Sequence, residues 1–515
     1  MGADARSDAG AGPSAGSGPR TRRRRTGRRA PRLGDLPPGP RRKWIETRTW
    51  LLPLAILLCV ALPHLDQGAW RTDTARYAAI GLQAWENGRL LDLELAPGEH
   101  YFSKPPLGIL IHGGALRIFG TGSAVARLPT VAAAALCVLA TVSLVRAFHG
   151  RDLALGAGLA LALSYEFFRR VREISLDMWQ LAFMLAAAAL LVRAIHRNTA
   201  WRALLAGGLV GLALLTKPFV ALLAPLLVGA WAIATRRAGR LPLIGLSLLA
   251  AILVASPWHA LMIARHGDAF TDVYVFGEVV ERAAGEIAAE PWWYYLAMLA
   301  RTGWPWVAFA VVGAALLVRS GRLGRSAEGP AFALLWAVAW LVVLSLFPDK
   351  RPRYLLPVLP AIAWLAAGAL AAPPLRSGRR HLRAALEPAV GLGVLAATAV
   401  AVLPVRVHAP VDPSWTAVFE TLRTSEYDAL RTVGLDSNQR ARFAINGFRW
   451  PVPWDGSAPD LPGADVAVVR AAGSEPTDRE RVLLRTDRLV LTLIDAPGRD
   501  TPGNAVQQSD GDVDP

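Results

Sequence analysis

Cysteine is scarce in this chain of 515 residues, which contains only Cys59 and Cys137. Both cysteines lie inside apolar runs of the sequence. The sequence therefore predicts neither a fold held together by disulfides nor a metal site built from cysteine thiolates.

Lysine is almost as scarce. Of 56 basic residues only four are lysines, namely Lys43, Lys104, Lys217 and Lys350. Lys43 belongs to an arginine-rich N-terminal stretch, whereas Lys104 precedes two prolines in "HYFSKPPLG". Since the chain uses arginine almost everywhere else, the three lysines after the N-terminal stretch are candidates for a specific role.

Long polar stretches are missing from most of the chain, in which 53% of residues are hydrophobic and the mean hydropathy is +0.32. Apolar runs of about 17–25 residues, the length that crosses a bilayer as a helix, recur along the sequence. We therefore predict an all-α polytopic membrane protein with about eleven spans. The predicted spans cover about 48–65, 126–148, 152–170, 176–196, 202–216, 218–235, 241–264, 292–317, 330–347, 354–372 and 385–405.

The net charge of +16 indicates membrane topology rather than binding to nucleic acid. Residues 1–47 form an arginine-rich arm, which we expect to be disordered, cytoplasmic and close to anionic lipids. Alternating spans then place a set of short arginine-containing loops on the same side of the membrane. The arginines of these loops are Arg151, Arg197, Arg236, Arg237, Arg240, Arg319, Arg322, Arg325, Arg379 and Arg380.

The first outer loop covers about 66–125. In it, Tyr77, Ile80, Ala84 and Trp85 follow a helical spacing, which predicts an amphipathic juxtamembrane helix lying in the interface. The apolar segment 107–120 is only 14 residues long, so we place it on the outer surface and do not count it as a span.

The chain becomes polar after the last predicted span. Residues 406–500 are predicted to form a small α/β domain outside the membrane, and 501–515 a disordered tail. "ARFAI", "ADVAVVR" and "RLVLTLIDA" are predicted strands, and "SWTAVFETLRTSEYDAL" is a predicted helix. Acceptor binding and a passive structural role are equally compatible with this domain.

The predicted topology places Lys104, Lys217 and Lys350 on the outer side, where positive charge is disfavoured. Arg169, Arg170 and Arg172 fall there as well. These side chains could snorkel at helix ends. As a set they favour an anion site, because a lysine ammonium suits a phosphate that approaches end-on.

Two acids on the same side are candidate catalytic residues. Asp73 stands at the start of the amphipathic helix, where it could be an N-cap or a general base at the membrane surface. Asp177 stands at the mouth of a predicted span, and an ionisable residue there is a functional candidate by default.

The loop "SLFPDKRPRYLLPVLP" adds Lys350 and Tyr354 between prolines, which stiffen the chain. Carboxylates and cations on one face suit a reaction in which a hydroxyl attacks a sugar carbon that carries a lipid phosphate. A leaving phosphate requires charge stabilisation more than it requires an acid.

Several of these segments together resemble one known family. "DTARYAAIGLQAWENGRLLDLELAPGEHYFSKPPLGILI" resembles the first periplasmic loop of the bacterial aminoarabinose lipid A transferases, which belong with the protein O-mannosyltransferases to the GT-C glycosyltransferases. "RVREISLDMW", "LLTKPFVALLAP", "SPWHALMIARHGDAF", "PWWYYLAMLARTGWPW" and "DKRPRYLLPVLP" extend the resemblance over about residues 48–372.

The resemblance implies a GT-C catalytic domain at 48–405 in the bacterial inner membrane, with its active site facing the periplasm. It implies inverting transfer from a polyprenyl-phosphate sugar to a lipid A, glycan or protein acceptor. Asp73 and Asp177 would be catalytic. The donor-phosphate set would be Lys104, Arg76, Tyr354, Lys350, Arg172, Lys217 and Arg282.

The chain departs from the family at two positions linked to a metal. Relatives often have an acid before the lysine of "KPP", where this chain has Ser103, and Glu-His before "PWWYY", where it has Glu278 and Val279. No cofactor is therefore certain, although a divalent cation stays possible.

Two other classes of protein compete with the enzyme. A transporter or flippase of lipid-linked sugars would carry polar groups and broken helices near the bilayer midplane, usually with internal repeats. The charges of this chain instead gather at the outer ends of spans. A membrane scaffold with an external domain would leave the lysine pattern unexplained.

Overall fold

A computed structural model describes residues 51–66, 72–96, 98–281, 290–320, 327–370, 399, 413–427, 429–435, 437–445, 452–453, 465–471, 474–477 and 480–494. The predicted basic arm, nearly all of the predicted span at 385–405 and the predicted tail at 501–515 lie outside these residues.

Helices dominate the described residues. The helices before residue 200 are α1 (Leu52–Ala61), α2 (Thr72–Asn87), α3 (Pro106–Phe119), α4 (Ser123–Arg146), α5 (Arg151–Ala162), α6 (Tyr165–Val171) and α7 (Leu176–Arg197). The later ones are α8 (Ala200–Leu214), α9 (Leu223–Ala234), α10 (Leu241–His266), α11 (Asp268–Thr271), α12 (Tyr294–Thr302), α13 (Trp306–Ser320), α14 (Glu328–Leu346), α15 (Leu359–Leu370), α16 (Pro413–Thr424) and α17 (Ser437–Ile445). A π-helical stretch, Asp272–Glu281, follows α11, and a 3-10 turn, Pro352–Val358, precedes α15.

Five helical stretches in the described residues are long and apolar enough to cross a membrane, or six if the bent pair α12–α13 counts as one span. The five are Ser123–Arg146, Leu176–Arg197, Ala238–His266, Glu328–Leu346 and Pro352–Leu370. One continuous apolar core joins side chains from α1 to α15. The chain is thus a multi-pass helical membrane protein.

Two of the predicted spans are wrong as single straight helices. The predicted span at 292–317 is bent by 112° between α12 and α13, where Pro305 has no amide hydrogen to donate to a helical hydrogen bond. The predicted span at 152–170 ends at Ala162, and α6 starts after Ser164, whose backbone is extended. The hydroxyl of Ser164 donates a hydrogen bond to the carbonyl of Ala160, so it ties the end of α5 to the break.

The amphipathic helix predicted in the first outer loop is present as α2. Its buried face, with Tyr77, Ile80 and Ala84, packs in one cluster with residues of α3. A Cβ on Gly113 would lie within 2.4 Å of the Gly81 backbone, so only glycine allows α2 and α3 to cross this closely. The first loop is therefore a packed element.

The C-terminal part of the described chain contains a five-stranded mixed sheet. Its strands are β3 (Ala429–Val433), β4 (Val452–Pro453), β5 (Val466–Ala471), β6 (Arg481–Arg485) and β7 (Leu489–Ile494), in the order β4-β3-β5-β7-β6. β3 pairs in parallel with β4 and β5, whereas β7 pairs antiparallel with β5 and β6. A separate hairpin joins β1 (Glu94–Ala96) and β2 (Glu99–His100).

The prediction of a strand at "ARFAI" is wrong, because residues 441–445 end the helix α17. Ala441 is buried against α2 and Phe443 is buried in the core under the sheet. Residues two apart on a helix lie on nearly opposite faces, so burial against two partners imitates the alternation of a strand. The helix predicted at 414–430 ends at Thr424, and its last residues, Ala429 and Leu430, instead begin β3. The predicted strands β5 and β7 are present, whereas β3, β4 and β6 were not predicted.

Candidate functional site

Two adjoining cavities lie at the end of the bundle where α8 ends and α7 begins. The first has an almost wholly apolar wall that includes Leu181, Trp340 and Phe347. The second has a charged and polar wall. Both cavities are lined by the same set of border residues: Lys104, Asp177, Lys217 and Tyr354. The four come from four separate segments, and together they mark the boundary between the apolar and the polar cavity.

Lys104 is held at this border by the start of α3. Its side chain is only 6% exposed, and its ammonium donates a hydrogen bond to the carbonyl of Ser103 at 3.0 Å. The amide of Leu107 donates to the carbonyl of Leu215, which joins this loop to the end of α8. A Cβ on Gly108 would lie 2.7 Å from Leu176, so the absence of a side chain there lets α3 approach α7.

Lys217 and Asp177 form the central ion pair, with 2.6 Å between Nζ and Oδ1. The turn that carries Lys217 is anchored by Gln180, whose side-chain amide donates to the Lys217 carbonyl at 2.9 Å. The Lys217 ammonium also stands 4.3 Å from the ring centroid of Tyr354, a cation–π distance. Arg353 adds a second cation, with Nε 3.8 Å from Oδ2 of Asp177.

The polar cavity gathers further charges of both signs. Its wall includes Arg170, Glu173, Arg351 and Arg353. Arg170 donates to Glu173 at 2.7 Å, so part of this charge is already paired. Cations outnumber acids along the wall, and the cavity therefore suits a negatively charged group. Glu173 and Gln180 were not predicted, and the only available signal was their nearness to Asp177 in sequence.

Two of the predicted phosphate-binding residues take other partners. The buried ammonium of Lys350 donates to the carbonyls of Phe347 and Glu290, at 2.7 and 2.9 Å. The guanidinium of Arg172 donates to the carbonyls of Pro63 and His64, just after α1. Burial lowers the pKa of Arg172, and Asp66 partly offsets this effect. Neither residue is part of the lining of the two cavities.

The remaining predicted residues, Arg76, Asp73 and Arg282, are not among the described residues that line the cavities. Arg76 lies 5.7 Å from the ring centroid of Tyr101. Asp73 is the second residue of α2, and only its backbone is among the described atoms. Thr74 and Tyr77, from the same end of α2, line the polar cavity. Arg282 lies outside the described residues.

The residues that replace the relatives' metal ligands, Ser103 and Val279, do not supply an acid and a histidine. A different set could hold an ion, since Asp92, His100 and His266 offer ligand atoms within 4.8 Å of one another. Among the described residues, these three form the group of histidine, cysteine and acidic side chains whose ligand atoms lie close enough together to hold an ion.

Two family profiles match the chain. One, described as dolichyl-phosphate-mannose-protein mannosyltransferase, covers residues 103–260, and the other, described as the Alg9-like mannosyltransferase family, covers residues 286–426. The first profile includes three of the four border residues, namely Lys104, Asp177 and Lys217, and the second includes Tyr354.

Two similar proteins have the same name. The undecaprenyl phosphate-alpha-4-amino-4-deoxy-L-arabinose arabinosyl transferase of Erwinia tasmaniensis is 31% identical over 368 residues, which is 68% of this chain and 64% of that protein. The protein of the same name from Pseudomonas paraeruginosa is 32% identical over 373 residues, 70% of this chain and 66% of its own. The match thus spans just under two thirds of each relative's length.

The fold is shared with a solved structure. The crystal structure of ArnT from Cupriavidus metallidurans bound to undecaprenyl phosphate superposes with a TM-score of 0.70, at 18% identity, and covers 88% of this chain and 98% of that one. The helical bundle with paired cavities at one end is therefore a membrane protein of the GT-C type. The chain belongs to the family of the bacterial aminoarabinose transferases and their mannosyltransferase relatives.

Proposed function

We propose that the chain is a glycosyltransferase that moves a sugar from a polyprenyl-phosphate donor to a lipid, glycan or protein acceptor. The observation that carries the proposal is the border set, in which Lys104, Lys217 and Tyr354 stand where an apolar cavity meets a charged one. A lipid-linked sugar has the same order of parts, namely an apolar chain, a phosphate and a polar head.

The first step is the placement of the donor. The polyprenyl chain lies along the apolar wall, where burial of hydrocarbon contributes most of the binding free energy. The phosphate lies at the border, within reach of Lys104 and Lys217, and the sugar extends into the polar cavity. Arg353 and Arg351 line that cavity and extend the positive field toward the phosphate.

The second step is the transfer. An acceptor oxygen forms a bond to the anomeric carbon while the bond from that carbon to the phosphate oxygen breaks. The electron pair leaves with the phosphate, and the acceptor proton passes to a carboxylate. We assign this base to Asp73, because Thr74 and Tyr77, its neighbours on α2, line the polar cavity.

Asp177 lines both cavities and belongs to the catalytic pair predicted from sequence. Its two oxygens face Lys217 and Arg353, so it holds two cations in place beside the leaving phosphate. In this role Asp177 acts through the cations, and its removal would leave them mispositioned.

The proposal includes the topology. The N-terminal arm is cytoplasmic, about eleven helices span the bacterial inner membrane, and the cavities open toward the periplasm. The C-terminal sheet then lies in the periplasm. Single-cysteine labelling at Thr424, an exposed position at the end of α16, in intact cells tests this arrangement, and labelling that requires a broken inner membrane would contradict it.

The names of the relatives define the first donor to test, undecaprenyl phosphate carrying 4-amino-4-deoxy-L-arabinose. The full chain, purified into nanodiscs, would receive this donor or undecaprenyl-phosphate hexoses, together with lipid A, glycan or peptide acceptors. Mass spectrometry should find a glycosylated acceptor and an equal amount of free undecaprenyl phosphate. Movement of intact donor between leaflets without release of undecaprenyl phosphate would support the transporter instead.

A further inference from the structure

Two histidines and one aspartate from distant parts of the chain converge outside the two cavities. Asp92 precedes β1, His100 ends β2, and His266 is the last residue of α10. Nδ1 of His100 lies 3.0 Å from Oδ1 of Asp92, and Nε2 of His266 lies 2.9 Å from Oδ2. The aspartate and His266 are largely buried, whereas His100 is half-exposed.

We propose that Asp92, His100 and His266 bind one divalent transition-metal ion of the zinc class. Bonds of about 2.0–2.2 Å to imidazole nitrogen and carboxylate oxygen place neighbouring ligand atoms about 3.3–3.6 Å apart in a tetrahedron. The two contacts, at 3.0 and 2.9 Å, go to different oxygens of Asp92, and the three ligand atoms lie within 4.8 Å of one another, so the side chains must rearrange to admit the ion. Two imidazoles with one carboxylate favour zinc and its neighbours over magnesium or calcium.

The surroundings hold the ligands in place. The ring of Phe102 stacks on His100, with centroids 5.6 Å apart, and also packs against His266 at 4.9 Å. The indole of Trp258, in the helix that carries His266, donates to the carbonyl of Leu91 at 2.8 Å. The two histidines are therefore held by a shared aromatic ring, and the segment before Asp92 is held by a hydrogen bond that does not involve a ligand, as a binding site requires.

The competing interpretation is a hydrogen-bonded cluster without an ion. In it Asp92 accepts hydrogen bonds from both imidazoles, and Arg265, with Nη1 3.9 Å from Asp92, adds a weak ion pair. The two interpretations differ in one measurable property, since only the first predicts saturable binding of a metal that all three side chains share.

The position of the site suggests its purpose. A bound ion would join the segment just before Lys104 to the end of α10, and it would hold the loop that presents Lys104 at the cavity border. This positioning role rests on the proposed function, whereas binding of the ion does not. The site uses neither Ser103 nor Val279, so it differs from the metal site that the family resemblance implies.

The test uses the full chain in detergent, with any affinity tag removed and bound metals stripped by a chelator. Isothermal titration calorimetry with Zn²⁺ should show one binding site per chain. His100→Gln, His266→Gln and Asp92→Asn should each weaken binding by at least about tenfold to a hundredfold, because losing even a supporting contact costs that much. His259→Gln, in α10 but outside the triad, is the control and should bind Zn²⁺ like the unmodified chain.

Two results would overturn the proposal. One is the absence of saturable Zn²⁺ binding in the unmodified chain. The other is Zn²⁺ binding by His100→Gln that is as tight as binding by the unmodified chain. Of the three replacements, His100→Gln is the least expected to disturb folding, because the His100 side chain is the most exposed. Hydrogen exchange without any donor supplies a second readout. Zn²⁺ should slow exchange at 92–104 and 258–266 in the unmodified chain and not in His100→Gln, and no slowing in the unmodified chain would also count against the site.

Discussion

The cations at one end of the bundle fall into two groups that look alike in sequence. Lys104 and Lys217 line the cavities, and Lys217 is balanced by Asp177 at 2.6 Å. Lys350 and Arg172 lie outside both cavity linings, and each donates to two main-chain carbonyls and holds loops together, whereas Lys104 donates to the carbonyl of its neighbour Ser103. These main-chain contacts fix the positions of Lys350 and Arg172.

The difference shows that a rare lysine on the outer side is not enough to assign a ligand contact. What separates the groups is the direction of the side chain, which depends on where unpaired carbonyls lie. Such carbonyls occur after helix ends, as at Phe347 and His64. Lys104 and Lys217, the cavity group, should therefore control donor binding and turnover. Lys350 and Arg172, whose side chains donate to main-chain carbonyls, should control stability.

The largest effect is expected at Asp73, to which the proposed function assigns the role of the base. Asp73→Asn removes the proposed base and should lower turnover by about 10²–10⁴-fold with little change in donor affinity. Turnover and donor affinity would be measured on the purified chain. Asp152→Asn, in the first turn of α5 and outside both cavity linings, is the matched control.

Near-normal turnover in Asp73→Asn would show that the acid serves only the helix. An acid in the first turn interacts with the helix dipole for about 0.3–1 kcal/mol, and an asparagine at the N-cap position is as good as an aspartate. The cavity group would then lack a base, and Glu173, which lines the polar cavity, would be the next candidate to test.

The second effect concerns Lys104. Lys104→Ala should weaken donor binding by roughly 10- to 150-fold, which corresponds to about 1.5–3 kcal/mol for a charge-assisted contact. Lys104→Arg keeps the charge but presents a planar fork on a longer stem, so it should bind the donor more weakly than lysine and better than alanine. Donor affinity in nanodiscs provides the measurement, and unchanged affinity in Lys104→Ala would move Lys104 out of the cavity group.

Much of the arrangement could be predicted from sequence. The segments with Lys104, Asp177, Lys217 and Tyr354 were each singled out by charge beside apolar or proline-rich runs, and the structure brings them to one border. The long helices followed from hydropathy. These features depend on local composition, which a single sequence contains.

Other features depend on contacts between distant residues and could not be predicted. The triad of Asp92, His100 and His266 joins segments more than 160 residues apart, so no spacing rule indicates it. The helix at 437–445 follows from packing partners that the local pattern does not reveal.

The third effect separates the two groups directly. Lys350→Met leaves the carbonyls of Phe347 and Glu290 without their donor, which should lower the free energy of unfolding by about 1–3 kcal/mol. Donor affinity should stay unchanged. Lys217→Met should weaken donor binding, and it should also lower the free energy of unfolding, because it leaves the Asp177 carboxylate with Arg353 as a more distant partner. Melting curves and donor titrations of both variants test the division, and a loss of donor affinity in Lys350→Met would end it.

The smallest expected effect is a dependence of the stability of the C-terminal sheet on pH, because a cation and a carboxylate form a buried ion pair there. Arg470 and Glu480 form a buried ion pair, and Thr492 and Thr477 also donate to Glu480, at 2.6 and 2.8 Å. Burial alone would raise the pKa of Glu480, but the hydrogen bonds from Arg470, Thr492 and Thr477 outweigh it and lower that pKa.

Because the folded-state pKa of Glu480 is lowered, the ionised pair stabilises the sheet above the unfolded-state value of about 4.3 and ceases to do so as the pH falls through the folded-state value. Between pH 7 and pH 4 this linkage removes at most about 0.6 kcal/mol. Hydrogen exchange at β5 and β7, corrected for intrinsic rates, should show this loss in the unmodified chain and not in Glu480→Gln. Glu475→Gln, which removes an exposed partner of Arg485, should behave like the unmodified chain, since exposed ion pairs contribute little.

If Glu480→Gln does not fold, Thr492→Val keeps the charge, raises the pKa of Glu480 and should reduce the pH dependence. If hydrogen exchange at β5 and β7 of the unmodified chain shows no loss of stability between pH 7 and pH 4, the ionised pair does not stabilise the sheet.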